Sequence, residues 1–209
     1  MKTKTEGRME AKTRKLVPID VKEPIWTRFF MVAPLVIVGT REGDHFNLAP
    51  KHMATPVGWD NYFAFVCTPR HSTYRNMRES GYFTVSFPKP SQVVLASITA
   101  EPRCGEEREK PDLEHLSTFP ATNIDGVFLE DSYLFFECKM EKIIDGFGKF
   151  SIIVGFVEAV LVDEDYVRRT ELDDSRMINE APLLAYLSPG RYAAIKNTNT
   201  FPFPSGFEP

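Results

Sequence analysis

The strongest constraint on the fold is a series of short apolar, β-branched or aromatic runs, each cut off by proline or glycine. The chain of 209 residues carries 16 Pro and 12 Gly. Leu35 to Thr40 is one such run, and its unbroken apolar character predicts a strand buried on both faces. Tyr62 to Cys67 is the next, stopped by Thr68-Pro69, and Tyr82 to Phe87 is a third, stopped by Pro88 and Pro90. Strands resume from Tyr133 to Lys139 and from Phe150 to Val162, with Asp145-Gly146-Phe147-Gly148 between them as a hairpin turn. Leu183 to Leu187 is a further apolar run. Ser72 to Ser80 reads as a short helix, with Ser72 or Thr73 as N-cap and Gly81 closing it. Gln92 to Ala100 reads as helical, as does part of 163–175. Short strands separated by turn signals point to a mainly β protein with peripheral helices, built as a barrel. Pro50 and Pro56 predict that Phe46 to Pro56 is a shaped loop or an irregular strand. The expected division is a mobile arm over 1–20, one domain over 21–195 and an irregular tail over 196–209.

Charge and motifs narrow the function. A net charge of −4 argues against a generic nucleic-acid binder. No stretch reaches the roughly 18 apolar residues of a membrane span. The basic N-terminus lacks the apolar core of a secretory signal, so a cytoplasmic protein is expected. Cys67, Cys104 and Cys138 are sparse and odd in number, which suits reduced thiols better than disulfides or structural zinc. The four histidines show no metal-ligand spacing, and no metal is expected. Dinucleotide-binding glycine signatures, the phosphate-binding P-loop and the hydrolase nucleophile elbow are all missing from the sequence.

Two polar segments remain as binding candidates. The first runs through Asn47, Leu48, Ala49, Pro50, Lys51, His52, Met53 and Thr55. Asn47 can donate and accept, small Ala49 and rigid Pro50 permit close approach of a flat ligand, and Lys51 and His52 add donors. The second opens the short helix with Arg70, His71, Ser72, Thr73 and Asn76, where free backbone N–H groups, hydroxyls and a guanidinium suit an anion. Helix capping with a solvated basic face explains that second segment equally well.

The order of these pieces resembles the flavin reductase-like, flavoredoxin-type FMN-binding family. Pro34 to Thr40, Asn47-Leu48-Ala49-Pro50, Phe63 to Val66 with Pro69, Thr73 with Asn76, and Gly81 with Phe83 to Ser86 carry the resemblance. Lys110-Pro111-Asp112-Leu113, Leu129 to Ser132 before Phe136 to Lys139, Ile152 to Val157, and Leu183 to Tyr192 extend it over about residues 25 to 195. The resemblance implies a six-stranded Greek-key split β-barrel with short helices, binding FMN near a homodimer interface. It implies that the Asn47 to Thr55 segment faces the isoalloxazine ring and ribityl chain. The Arg70 to Asn76 segment would hold phosphate and ribityl oxygens, and Lys110 would reach in from a charged loop. Flavin chemistry needs no protein acid or base, so no catalytic residue is expected. Ser151 and Gly155-Phe156-Val157 depart from the family, where a histidine and a Gly-Glu-Val are common. That departure leaves two donors open, NAD(P)H or a redox protein. A non-catalytic barrel binding another small molecule is the alternative.

Overall fold

The computed structural model describes residues 16–101, 110, 113 and 115–206. Residues 1–15, most of the charged loop with Cys104, and 207–209 lie outside them, and with them most of the expected arm. The strands are β1 (Met31–Ala33), β2 (Val36–Glu42), β3 (His45–Lys51), β4 (Ala54–Pro56), β5 (Tyr62–Cys67), β6 (Tyr82–Phe87), β7 (Thr118–Pro120), β8 (Val127–Leu129), β9 (Leu134–Phe147), β10 (Phe150–Val162), β11 (Leu183–Ser188) and β12 (Arg191–Ile195). The helices are α1 (Ser72–Ser80), α2 (Val93–Ile98) and α3 (Asp174–Glu180).

The main sheet is antiparallel throughout and runs β3-β2-β6-β9-β10-β5-β4. Its two edge strands, β3 and β4, are separated in the chain only by His52 and Met53. One strand therefore bends at that corner, leaves one edge of the sheet and pairs at the other. The Val66 N–H donates to the Met53 carbonyl at 2.9 Å across the closure. Counted as one bent strand, β3 and β4 make the six staves the family resemblance implied. The loop or irregular strand expected around Pro50 and Pro56 is thus two regular strands. Both prolines sit on edge strands, where a missing N–H removes no ladder bond. The long β9–β10 hairpin carries three register shifts, which bend it around the barrel.

Burial follows from this closure. Val36, Val38, Phe63, Phe65, Met77, Phe83, Val85, Cys138 and Ile153 fill the interior. Ile37 points to the other side of β2, into a second cluster with Leu48, Ala96, Leu116 and Leu129. Residues Val36 to Thr40 are accordingly all buried, as the unbroken apolar run required. Helix α1 packs on β2 and β3. It begins at Ser72 as expected, but His71 is its N-cap, in extended conformation and with no side-chain cap. Thr73 lies one residue inside the helix, and its hydroxyl accepts from Asn47 instead. Gly81 closes the helix at φ 74°, a left-handed conformation that favours glycine. A smaller sheet, β1-β11-β12, lies beside the barrel corner, joined to it by the His52 and Tyr186 rings, 4.8 Å apart. No described helix is long and apolar enough to cross a membrane.

Candidate functional site

Asn47 faces Thr40 across the β2–β3 ladder, beside the first turns of α1. Its Nδ2 donates to the Thr73 hydroxyl at 3.4 Å, and Asn76 Nδ2 donates to the Thr40 hydroxyl at 3.0 Å. All four side chains are buried. The Asn47 Oδ1 is buried with no hydrogen-bond partner. Leaving a buried acceptor unmet costs about 1–3 kcal/mol, so an orphan of this kind suits a ligand that brings a donor.

Positive charge gathers next to that amide. Lys51 is 9% exposed at the end of β3, with the Cys67 thiol as its neighbour across the barrel. Burial lowers the Lys51 pKa, and the Cys67 contact opposes that shift. Burial pushes the Cys67 thiol up, and the Lys51 charge opposes it. Lys110 reaches in from the charged loop and donates to the carbonyls of Leu48 at 3.0 Å and Thr99 at 2.9 Å. The His71 imidazole is held below its ordinary range by burial first, then by the Lys51 and Lys110 charges. Two ammonium groups thus converge on the residue that opens α1, whose first-turn N–H groups add positive potential.

The other expected residues lie around this centre. Leu48 is spent in the core and offers only its carbonyl. Ala49 is buried and Pro50 half-buried on the same strand. Ser72 is buried at the start of α1. His52, Met53 and Thr55 line an apolar cleft of about 520 Å³ with Trp26, Met31 and Phe65. Arg70 lies on a separate cleft of about 320 Å³, opposite Asp145 and Ser151. The sequence reading missed Thr40, whose signal was a hydroxyl ending an otherwise apolar buried run. It also missed the contact between Lys51 and Cys67, and Asp145, which joins the site only through the fold.

The histidines make stability pH-dependent. His52 is also held low, by burial and then by the Lys51 charge. Both imidazoles therefore bind protons less readily when folded than the ordinary value of 6.5 allows unfolded. The unfolded chain takes up more protons as the pH falls, so this contribution is intact above about 6.5 and is lost below it. Denaturation midpoints of flavin-free protein should fall between pH 7.5 and 5.5, and fall less in a His52→Gln, His71→Gln double variant.

An antiparallel barrel that one bent strand closes, with a buried polar cluster beside a helix start, is a barrel of the split type. The sequence matches the model of the flavin reductase like domain over residues 28–195, and the chain belongs to that family of flavin-related oxidoreductases. Flavoredoxin from Methanosarcina acetivorans shares the fold at a TM-score of 0.73 and 17% identity, covering 92% of this chain and 98% of that one. Flavoredoxin of Desulfovibrio vulgaris (Miyazaki F) gives 0.72 at 23% identity, covering 91% and 100%. An FMN-binding protein from Thermus thermophilus, with bound 1-cyclohex-2-enone, gives 0.69 at 19% identity, covering 90% and 99%. No curated protein matches the sequence.

Proposed function

We propose that this protein binds FMN and passes electrons through it, as an oxidoreductase of the flavin reductase and flavoredoxin type. The observation that carries the reading is the buried, unpartnered Asn47 Oδ1 beside the Lys51, His71 and Lys110 cluster. In this reading Asn47 accepts from an N–H of the flavin's pyrimidine edge. Lys51 offsets the negative charge that reduction places on that edge. Arg70, His71, Ser72 and Thr73 hold the phosphate, and Asn76 keeps Thr40 in place behind them. His52, Met53 and Thr55 flank the ring from the barrel corner. A bound flavin supplies hydride and single-electron chemistry; the protein binds it, orients it and excludes water.

The reading is tested at Asn47. Asn47→Leu should weaken FMN binding by about 10- to 100-fold, or about 1.4–2.8 kcal/mol, in a fluorescence titration. The melting temperature should hold, because the substitution also removes an unmet acceptor. Unchanged affinity would contradict the assignment.

The donor is NAD(P)H or a redox protein, and two contacts support the second. Ser151 gives its hydroxyl to Asp145 at 2.5 Å, and Phe156 packs edge-on against Tyr62 with centroids 5.3 Å apart. Neither position then offers a free polar group to orient a nicotinamide. Anaerobic addition of NADH or NADPH should leave the flavin colour in place; rapid bleaching assigns a reductase. The exposed apolar cleft at Trp26, Met31 and Met53 supports a homodimer. Light scattering should then give twice the chain mass of 23.8 kDa.

A further inference from the structure

The turn from Thr68 to His71 carries the expected phosphate donors and is held by short-range hydrogen bonds. These are His71 N–H to the Thr68 carbonyl at 3.0 Å, Arg70 N–H to the Thr68 hydroxyl at 3.5 Å and Arg75 Nη1 to the Arg70 carbonyl at 3.3 Å. His71 supplies no side-chain cap. One side of the turn opens on the 320 Å³ cleft. Across that cleft, Asp145 at the end of the β9–β10 hairpin receives two hydroxyls. Ser151 donates to its Oδ1 at 2.5 Å, and Tyr74 donates at 3.2 Å to Oδ1 and 3.4 Å to Oδ2. Both donors are buried, Ser151 at 1% exposure and Tyr74 at 6%. Ser151 pairs with Cys67, the residue that ends β5 just before the turn. Tyr74 lies in the first turn of α1, just after it. One carboxylate thus ties β10, which pairs with the strand that enters the turn, to the helix that leaves it.

We propose that Asp145 is a positioning residue for the anion-binding turn, holding Arg70, His71 and the α1 start in register through Tyr74 and Ser151. The proposal rests on the FMN reading for its ligand, and its geometry does not. Asp145 does not touch the phosphate in this scheme; its own charge would repel one. Its value is the pair of accepted hydrogen bonds, which an asparagine oxygen can still accept in part.

The test compares FMN with riboflavin, which lacks the phosphate, on the full chain. Asp145→Ala should weaken FMN binding about 10-fold and change riboflavin binding less than 2-fold. Asp145→Asn should bind FMN within 3-fold of the unaltered protein, or more tightly. In flavin-free protein, amide hydrogen exchange over 70–73 should quicken at least 10-fold in Asp145→Ala and stay slow in Asp145→Asn. If Asp145→Ala fails to fold, Tyr74→Phe should give about a 3-fold loss for FMN alone. Equal losses for FMN and riboflavin, unchanged FMN affinity in the alanine variant, or equal losses in the alanine and asparagine variants would each overturn the proposal. Absence of FMN binding in the unaltered protein defeats the FMN reading instead. The exchange measurement still decides whether Asp145 holds the turn.

Discussion

Gly155→Ala is expected to lower the unfolding free energy by about 3 kcal/mol, toward the upper end of overpacking costs. Gly155 sits at a register shift in β10, over the interior of the barrel. A Cβ there would lie 2.5 Å from Phe83 Cε1 and Cζ, and 3.2 Å from Cys138 Cβ. Phe83 is 1% exposed and stacks edge-on with Phe65 at 5.4 Å, so its ring has nowhere to retreat without displacing the core. The gain in strand propensity from alanine is smaller than that strain. Urea denaturation checks the value. A Gly155→Ala, Phe83→Leu double variant should be less destabilised than the sum of the single ones, because the smaller side chain admits the methyl. An alanine variant as stable as the original would mean the interior is looser than described.

Glu137→Gln is expected to cost about 2–3 kcal/mol, although it changes one atom. Glu137 is 1% exposed on β9. Its two oxygens accept from the Thr122 and Asn123 backbone N–H groups, each at 2.8 Å. A glutamine amide must set its own NH2 against one of those donors, losing a charge-assisted bond and adding repulsion. The loop it clamps brings Gly126 against β6, where a Cβ on Gly126 would meet the Thr84 methyl at 2.7 Å. The substitution should therefore also loosen residues 121–126, visible as faster amide exchange there. Equal stability of the two proteins would show that solvent replaces the clamp.

The main strands were legible because their burial is local in sequence. Phe150 to Val162 and Tyr82 to Phe87 match β10 and β6 residue for residue. The apolar run read from Leu35 is β2, one residue later at its start. β1 and β12 were not legible, being short strands that exist by pairing with β11. The corner at His52 and Met53 was hidden for a related reason. Prolines that argue against a strand in isolation are tolerated on the edges that a closing barrel supplies. At the candidate site, segment order singled out Asn47 and the α1 start, which the fold brings together through Thr73. Sequence could not show that Lys51 would face Cys67, or that Asp145 would reach Tyr74 from 71 positions away. Those contacts depend on barrel closure, and no local pattern encodes them.

A titration of the purified, flavin-stripped protein with FMN asks whether the residues where β3 meets α1 hold that cofactor. Saturable, one-per-chain binding with a flavin absorption spectrum is expected, with weaker binding of riboflavin, which cannot use the cationic turn. No uptake of FMN, or equal affinity for the two flavins, would contradict it.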